Sequence, residues 1–560
     1  MTMSKLRNES MLDTELDHNK RRTLKTLAVG AAAIPFASVV YADGNQLVEQ
    51  PQLLPNEQGP FDLVIENGRV LDPETGLDAV RSIGVKGHRI AAISKSKLNG
   101  NKVIDAGGLV VAPGFIDLHA HGQQLPAARA QAFDGVTTAL EMESGLLPIG
   151  RFYEMTAQEG RPINYGASAA WTYARVMAKE QDMPAPDATI TWFQKAFAKK
   201  NWQNSLATDD ELKQILAHVE QGLQEGGLGI GVNAGYAPGY GHKEYYEVAK
   251  LAKQYEVPTY THVRYVNSVE PKSSFEAYQE LISLSASTGA HMHICHLNST
   301  SVQDIDDCAD LVQSAIDNGL AITTEAYPYG AGSSAVGAEM FRGDTWKSRF
   351  GVPDASYMEL NGQPLTQTKI DDLQKNDPGA VVVIHFLKPD DNKEDLRKMK
   401  RSVLFPGAAI ASDAMPWMGS TGQLIEGDIW PLPNDAFAHP RSVGCFGRFV
   451  QQYVKDYKAI TLLDAMERTS LNACRIIEDA VPQMRNKGRI QVGKDADIVV
   501  FDFQEFKDQS TFTQPAKLST GMKHVVVNGQ LIIENEEMDL NSMAGQPIRR
   551  TNHESKTSRS

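Results

Sequence analysis

His119 and His121 flank a single alanine at the end of the apolar run Gly114-Phe115-Ile116-Asp117-Leu118. Side chains alternate faces along a strand, so residues two apart point the same way. Two imidazoles side by side at a strand end can hold one metal ion, each at about 2.0–2.1 Å. Taken alone, a His-x-His pair is as readily structural as functional. Its setting changes that balance, because other strand-like runs end at His262, His296 and Asp413.

Ligands on separate strands meet only if those strands end at one place. From about 112 to 479, apolar strand-like runs alternate with helical patterns, the rhythm of parallel βα units. Several runs finish in polar residues, among them Val257-Pro258-Thr259-Tyr260-Thr261-His262, His291-Met292-His293-Ile294-Cys295-His296 and Ala321-Ile322-Thr323-Thr324-Glu325. In a (β/α)8 barrel the chemistry sits at the carboxyl ends of the strands. The predicted fold is therefore α/β, a TIM-like (β/α)8 barrel over 112–479.

Short strands separated by turns fill 61–111, with Asn67-Gly68 as a hairpin signal, and the same texture returns at Asp497-Ile498-Val499-Val500-Phe501 and His524-Val525-Val526-Val527. These flanks predict one small β-sandwich domain built from 61–111 and 480–545. Residues 546–560 are polar and aperiodic and are expected to form a disordered tail.

The amino terminus reads as a targeting segment. Arg21-Arg22 precedes an apolar stretch from 27 to 40, and Val40-Tyr41-Ala42 is a small-x-small cleavage signal before Asp43. Residues 1–42 are expected to be a twin-arginine-type signal peptide, and the mature protein periplasmic. The alternative is an uncleaved anchor, but the stretch is shorter than the roughly 20 apolar residues that a spanning helix needs. A net charge of −14 argues against nucleic-acid and anionic-membrane partners. Cys295, Cys308, Cys445 and Cys474 form no C-x-x-C pair and are expected to be small buried free thiols.

Taken in order, several motifs resemble the amidohydrolase superfamily, and within it the N-acyl-D-amino-acid deacylases. They are Pro113-Gly114-Phe115-Ile116-Asp117-Leu118-His119-Ala120-His121, Gly135-Val136-Thr137-Thr138, Thr261-His262-Val263-Arg264, Cys295-His296-Leu297-Asn298, Glu325-Ala326-Tyr327-Pro328-Tyr329, Ser412-Asp413-Ala414, His439-Pro440-Arg441 and Ala496-Asp497-Ile498-Val499. The resemblance implies one or two zinc ions at the barrel mouth, with His119, His121 and Asp413 at one position and His262 and His296 at the other. A metal lowers the pKa of bound water from 15.7 toward about 7 and polarises a carbonyl. Asp413 would serve as general base and then general acid. Arg441 would hold a free substrate carboxylate, for which a planar guanidinium is suited. Tyr236 and Tyr327 match positions that contact substrate, with aromatic packing as the competing reading.

The chain departs from that pattern at two places. Where such deacylases place a cysteine ligand, it has Ser144, preceded by Glu141-Met142-Glu143. Glu143 is expected to bridge two ions, and Glu141 to sit deeper on the same face. Asn298 stands where relatives carry lysine, so a preference for acidic side chains would need another source. If His296 faces inward, strand parity turns His291, His293 and Cys295 outward into structural roles. His385 ends a further strand candidate and is read as a core histidine, and His242 as a loop residue. The segment from Phe341 to Lys375 is expected to cover the barrel mouth. The rival readings are another amidohydrolase reaction on a carboxylate-bearing amide, such as cyclic-amide opening or dipeptide cleavage, and a non-catalytic binding protein.

Overall fold

A computed structural model describes residues 52–53 and 59–551. The expected signal peptide at 1–42 lies outside the described residues, as do 552–560. Eight parallel strands form the centre: β1 (Phe115–Asp117), β2 (Val136–Leu146), β3 (Asn164–Ala170), β4 (Ile230–Asn233), β5 (Thr259–His262), β6 (Met292–Ile294), β7 (Ile322–Ala326) and β8 (Ala409–Ile410). They pair in sequence order from β1 to β8. The ring closes just past the strand ends, where Ala120 bridges Ala414 in parallel and the His121 N–H donates to the Ala414 carbonyl at 2.8 Å. The predicted barrel is therefore present.

Strand alternation divides the apolar residues into two layers. Phe115, Ala139, Met292, Ile294 and Ile410 join a large cluster with helix residues such as Val219, Val248, Leu281 and Val312. Ile116, Leu140, Tyr260, Cys295 and Ala409 belong to a smaller one, the filling of the barrel interior. Helices attach by apolar stripes. Asp209–Gln224 starts at a Thr208/Glu211 capping box and buries Ile215, Val219 and Leu223. It also buries Gly222, where a Cβ would come within 2.8 Å of Ala169 on β3.

Both ends of the described chain meet in one ten-stranded sheet. Val110–Pro113 pairs antiparallel with Ile498–Phe501 and parallel with Phe61–Asp72. The sheet has its own apolar core, including Ile65, Val85, Ile104, Ile498 and Val526. Buried Asp497 ties it to the barrel by accepting from Lys487 Nζ at 2.6 Å and Asn164 Nδ2 at 3.0 Å.

Two expectations are corrected. Residues 546–550 are not a disordered tail: the Ile548 N–H donates to the Tyr165 carbonyl at 2.7 Å and its side chain is buried. A single apolar residue in a polar run suffices here, because the start of β3 offers free backbone groups for it to pair with. The run Val381–His385 is a strand as expected, but His385 is not a core histidine. The strand pairs antiparallel with Ala331–Ala335 and Met358–Leu360 in a four-stranded sheet inserted between β7 and β8. His385 is only half-buried there, 3.4 Å from Glu359 and against the Phe512 ring, away from the barrel core. All four cysteines are free and buried. Among the described residues no helix is long and apolar enough to cross a membrane.

Candidate metal centre

The barrel mouth gathers His119 and His121 beyond β1, Glu141 and Glu143 on β2, His262 at the end of β5, His296 beyond β6, Glu325 on β7 and Asp413 beyond β8. All are buried. His119 Nε2 and His121 Nε2 are 3.1 Å apart. Glu143 Oε2 lies 3.5 and 3.6 Å from those two nitrogens, and Asp413 Oδ1 lies 3.5 and 3.3 Å from them. Ligand atoms held at about 2.0–2.1 Å around a tetrahedral ion stand roughly 3.3–3.4 Å apart. These four donors match that spacing. The other carboxylate oxygen of Glu143 faces the opposite way, 3.1 Å from His262 Nδ1 and 2.8 Å from His296 Nε2. The six predicted ligands thus form two donor groups that share one glutamate.

Charge and backbone both mark this place. Burial disfavours an ionised Glu143 and an ionised Asp413, yet both pKa values fall below the carboxylate range. The His119, His262 and His296 rings hold Glu143 down, and the Arg441 guanidinium and His119 hold Asp413 down. Burial also opposes a proton on His121, but Glu141 and Asp413 raise its pKa to about 10. The cluster demands positive charge, which a divalent ion would supply in place of ring protons. His296 and Asp413 both have positive φ, 34° and 51°, an uncommon conformation for non-glycine residues that collects at functional sites.

That turn at His296 corrects the parity argument. Met292 and Ile294 pack outward, so His293 and Cys295 face the barrel interior. Alternation stops at the strand end, and the left-handed residue swings the next ring inward as well. Cys295 therefore lies within 4.8 Å of His119 and Glu143 donor atoms, and His293 within 3.2 Å of Glu325. Ser144 follows Glu143, and its backbone N–H donates to Glu141 at 3.3 Å. Gly145 after it has φ 61°, and a Cβ there would meet the Ser168 carbonyl at 2.6 Å.

Glu325 was not singled out from the sequence, though it ends a strand candidate. Its Oε1 is 2.5 Å from His119 Nδ1. Glu141 sits deeper than Glu143, as expected, with Oε2 2.8 Å from His121 Nδ1. Asp117 locks β1 to the segment beyond β8 by accepting the His119 N–H at 3.1 Å and the Ser412 N–H at 2.9 Å.

Arg441 is fully buried beside Asp413: its Nε donates to the Asp413 carbonyl oxygen at 2.7 Å and its Nη2 lies 2.6 Å from Asp413 Oδ2. That last contact is an ion pair without hydrogen-bond alignment, because neither Nη atom has an aligned acceptor. The guanidinium stacks on Tyr327 at 4.6 Å. Tyr236 and Tyr327 line a cavity of about 40 Å³ with Glu143, His262, His296 and Asp413. The Tyr327 hydroxyl is buried without a partner, whereas Tyr236 accepts from Ser334 at 3.0 Å. Phe341 and Phe350, from the expected cover, also reach this cavity. Asn298 is turned away, donating to the Tyr327 and Tyr329 carbonyls. His242 is exposed, beside Glu280.

Known proteins show the same architecture. D-aminoacylase from Alcaligenes xylosoxydans xylosoxydans is 25% identical over 524 residues, covering 89% of this chain and 99% of its own. The N-acyl-D-glutamate deacylase of the same organism is 24% identical over 495 residues, covering 84% and 93%. A crystal structure of D-aminoacylase superposes with a TM-score of 0.69 at 21% identity, over 88% of this chain and all of its own. The N-acyl-D-glutamate deacylase of Bordetella bronchiseptica, complexed with zinc and a phosphonate inhibitor, gives 0.69 at 20% identity over the same shares. The amidohydrolase family pattern matches residues 102–332 and 296–533, spanning every donor at the barrel mouth, and the chain belongs to the amidohydrolase family.

Proposed function

We propose that this protein is a zinc-dependent deacylase of N-acyl-D-amino acids. The observation that carries the reading is Glu143, whose two oxygens face two separate histidine pairs with Asp413 alongside. His119, His121, Asp413 and Glu143 would hold one ion, and His262, His296 and Glu143 a second. Zinc, when bound, polarises a carbonyl and makes water acidic enough to ionise near neutral pH.

The protein's own groups then have separable tasks. Asp413, kept ionised by Arg441, is placed to accept the proton of the attacking water and deliver it to the leaving nitrogen. The unpaired Tyr327 hydroxyl can donate to the amide oxygen as charge develops on it. Arg441 is fully buried behind Asp413 with no aligned acceptor on either Nη, and it would take the substrate's free carboxylate if substrate entry opens a path to it. Tyr236 and apolar side chains such as Phe341, Phe350 and Ile384 line the cavity beside these groups.

Likeness to deacylases that act on D-amino-acid derivatives supports the substrate class. The paired arginines and small-x-small signal support export and periplasmic action after cleavage before Asp43. Screening N-acetyl and N-formyl D- and L-amino acids on the zinc-loaded protein tests the activity. Release from D-substrates is expected; turnover only of L-substrates, cyclic amides or dipeptides would replace this reading. Glu143→Ala is expected to lower both metal content and activity, and retention of both would remove the bridging role. The amino-terminal residue of exported protein checks the signal, with Asp43 expected.

A further inference from the structure

The centre lies between two spaces, and its donors divide between them. Glu143, His262, His296 and Asp413 line the small cavity with Tyr236 and Tyr327. His121 lines a second space, a slot of about 210 Å³ against about 40 Å³ for the cavity, and no residue borders both. The His121 ring is the partition. Its Nε2 stands 3.3 Å from Asp413 Oδ1, while its Nδ1 is 2.8 Å from Glu141 Oε2, and Glu141 also borders the slot.

The slot runs from buried His121 and Glu141 to exposed Met155 and Glu426. Its lining is apolar at Leu146, Phe152, Ala188 and Ile190. Among its polar groups, Gln124 Oε1 is buried without a partner. The Arg161 guanidinium is already engaged, donating to the Gln123 and Gly160 carbonyls and pairing with Glu159 at 2.7 Å. At the exposed end, burial together with Glu159 and Asp187 raises the pKa of Glu426, so a further negative charge is unwelcome there. An amide has two halves, and its carbonyl must reach the metal centre with one half on either side. Arg441, stacked on Tyr327, stands on the cavity side, where the carboxylate-bearing amine half belongs. The other half is left to point past His121.

We infer that the slot receives the acyl half of the substrate, and that this acyl group is a neutral apolar chain several carbons longer than acetyl, its size set by Leu146, Phe152 and Ile190. The inference rests on the deacylase reading above and names the acyl group which that reading leaves open.

The test is one D-amino acid, the best in the screen above, carrying acetyl, butyryl, hexanoyl or adipoyl groups and assayed on zinc-loaded protein. Each methylene withdrawn from water is worth about fourfold when fully buried, so kcat/KM should rise about 10–100-fold from acetyl to hexanoyl. Adipoyl, of equal length but charged at its tip, should fall about tenfold or more below hexanoyl. A flat or falling series from acetyl to hexanoyl overturns the inference and leaves the deacylase reading standing, adipoyl equal to hexanoyl overturns the neutral character, and no release from any member overturns both readings. Ile190→Trp narrows the slot from a half-buried position at the start of the helix Ile190–Ala196 and should erase most of the hexanoyl advantage. An advantage unchanged in this variant would place the acyl group elsewhere. Wild-type crystals soaked with hexanoate decide the question even if the variant fails to fold: chain density is expected between Leu146 and Ile190, and a slot without density overturns the assignment.

Discussion

The rim of the barrel and the sheet inserted between β7 and β8 meet at the same small cavity, yet they are built on opposite terms. Rim residues sit at the ends of the parallel barrel strands, and Asp117, Glu141 and Glu325 brace them with buried hydrogen bonds. The inserted segment reaches the cavity with Ser333, Ser334 and Ile384 from its sheet and with Phe341 and Phe350 from short helical turns beside it. The space of about 40 Å³ is far below the roughly 300–1,000 Å³ of ordinary ligand sites. Substrate entry therefore has to displace something, and the rim is the costlier part to move. Chemistry belongs to the rim and admission to the insertion, and substitutions in the two regions should fail in different ways.

The largest effect is expected from Asp413→Asn. Removing the proposed general base should lower kcat by about 10²–10⁴-fold with the fold intact, measured on zinc-loaded protein alongside circular dichroism. Unchanged turnover would take the proton-transfer role away from the rim. Next is Arg441→Lys, which replaces a planar fork with a point charge. We expect kcat/KM to fall about 10–100-fold for substrates with a free carboxylate, and much less for the corresponding carboxamides. An equal loss on both would mean that Arg441 acts only through its ion pair with Asp413.

The same division governs what could be read from the sequence. His119 and His121 declare themselves as a His-x-His pair closing an apolar run, and Glu143 because a carboxylate stands beside the serine that replaces a ligand. His262 and Asp413 end recognisable runs. Glu325 hides because its partner lies 206 residues away, and nothing local separates a bracing carboxylate from a solvated one. Cys295 and His293 were turned the wrong way because the positive φ of His296 breaks the alternation on which the argument depended. Val381–His385 is legible as a strand, but an apolar run carries no mark of the sheet it will join. Strand-end chemistry was legible where local rules reached it; the partners that only folding supplies were not.

Phe350→Ala tests the insertion's share in selectivity. Phe350 is buried at the cavity, so truncation opens space without touching a rim donor. Discrimination between side chains differing by a methylene should drop by about tenfold, with kcat on the preferred substrate much less affected than in Asp413→Asn. A collapse of kcat instead would show that the insertion also holds the reacting groups in place.

The smallest effect separates the regions by stability. Thr366 caps the inserted helix Gln367–Asn376 by accepting the Lys369 N–H, and Thr208 caps the barrel helix Asp209–Gln224 in the same manner. Replacing either by alanine removes about 1 kcal/mol of capping. The barrel helix presses Ile215, Val219 and Leu223 into the main core, so its loss should be felt in global unfolding, as a lower Tm for Thr208→Ala. The inserted helix buries only Ile370 and Leu373, and its opening need not unfold the barrel. Thr366→Ala should therefore speed amide exchange within 367–376 and leave Tm nearly unchanged. If the two variants lower Tm equally, the insertion unfolds as one unit with the barrel, and admission would require loosening the rim itself.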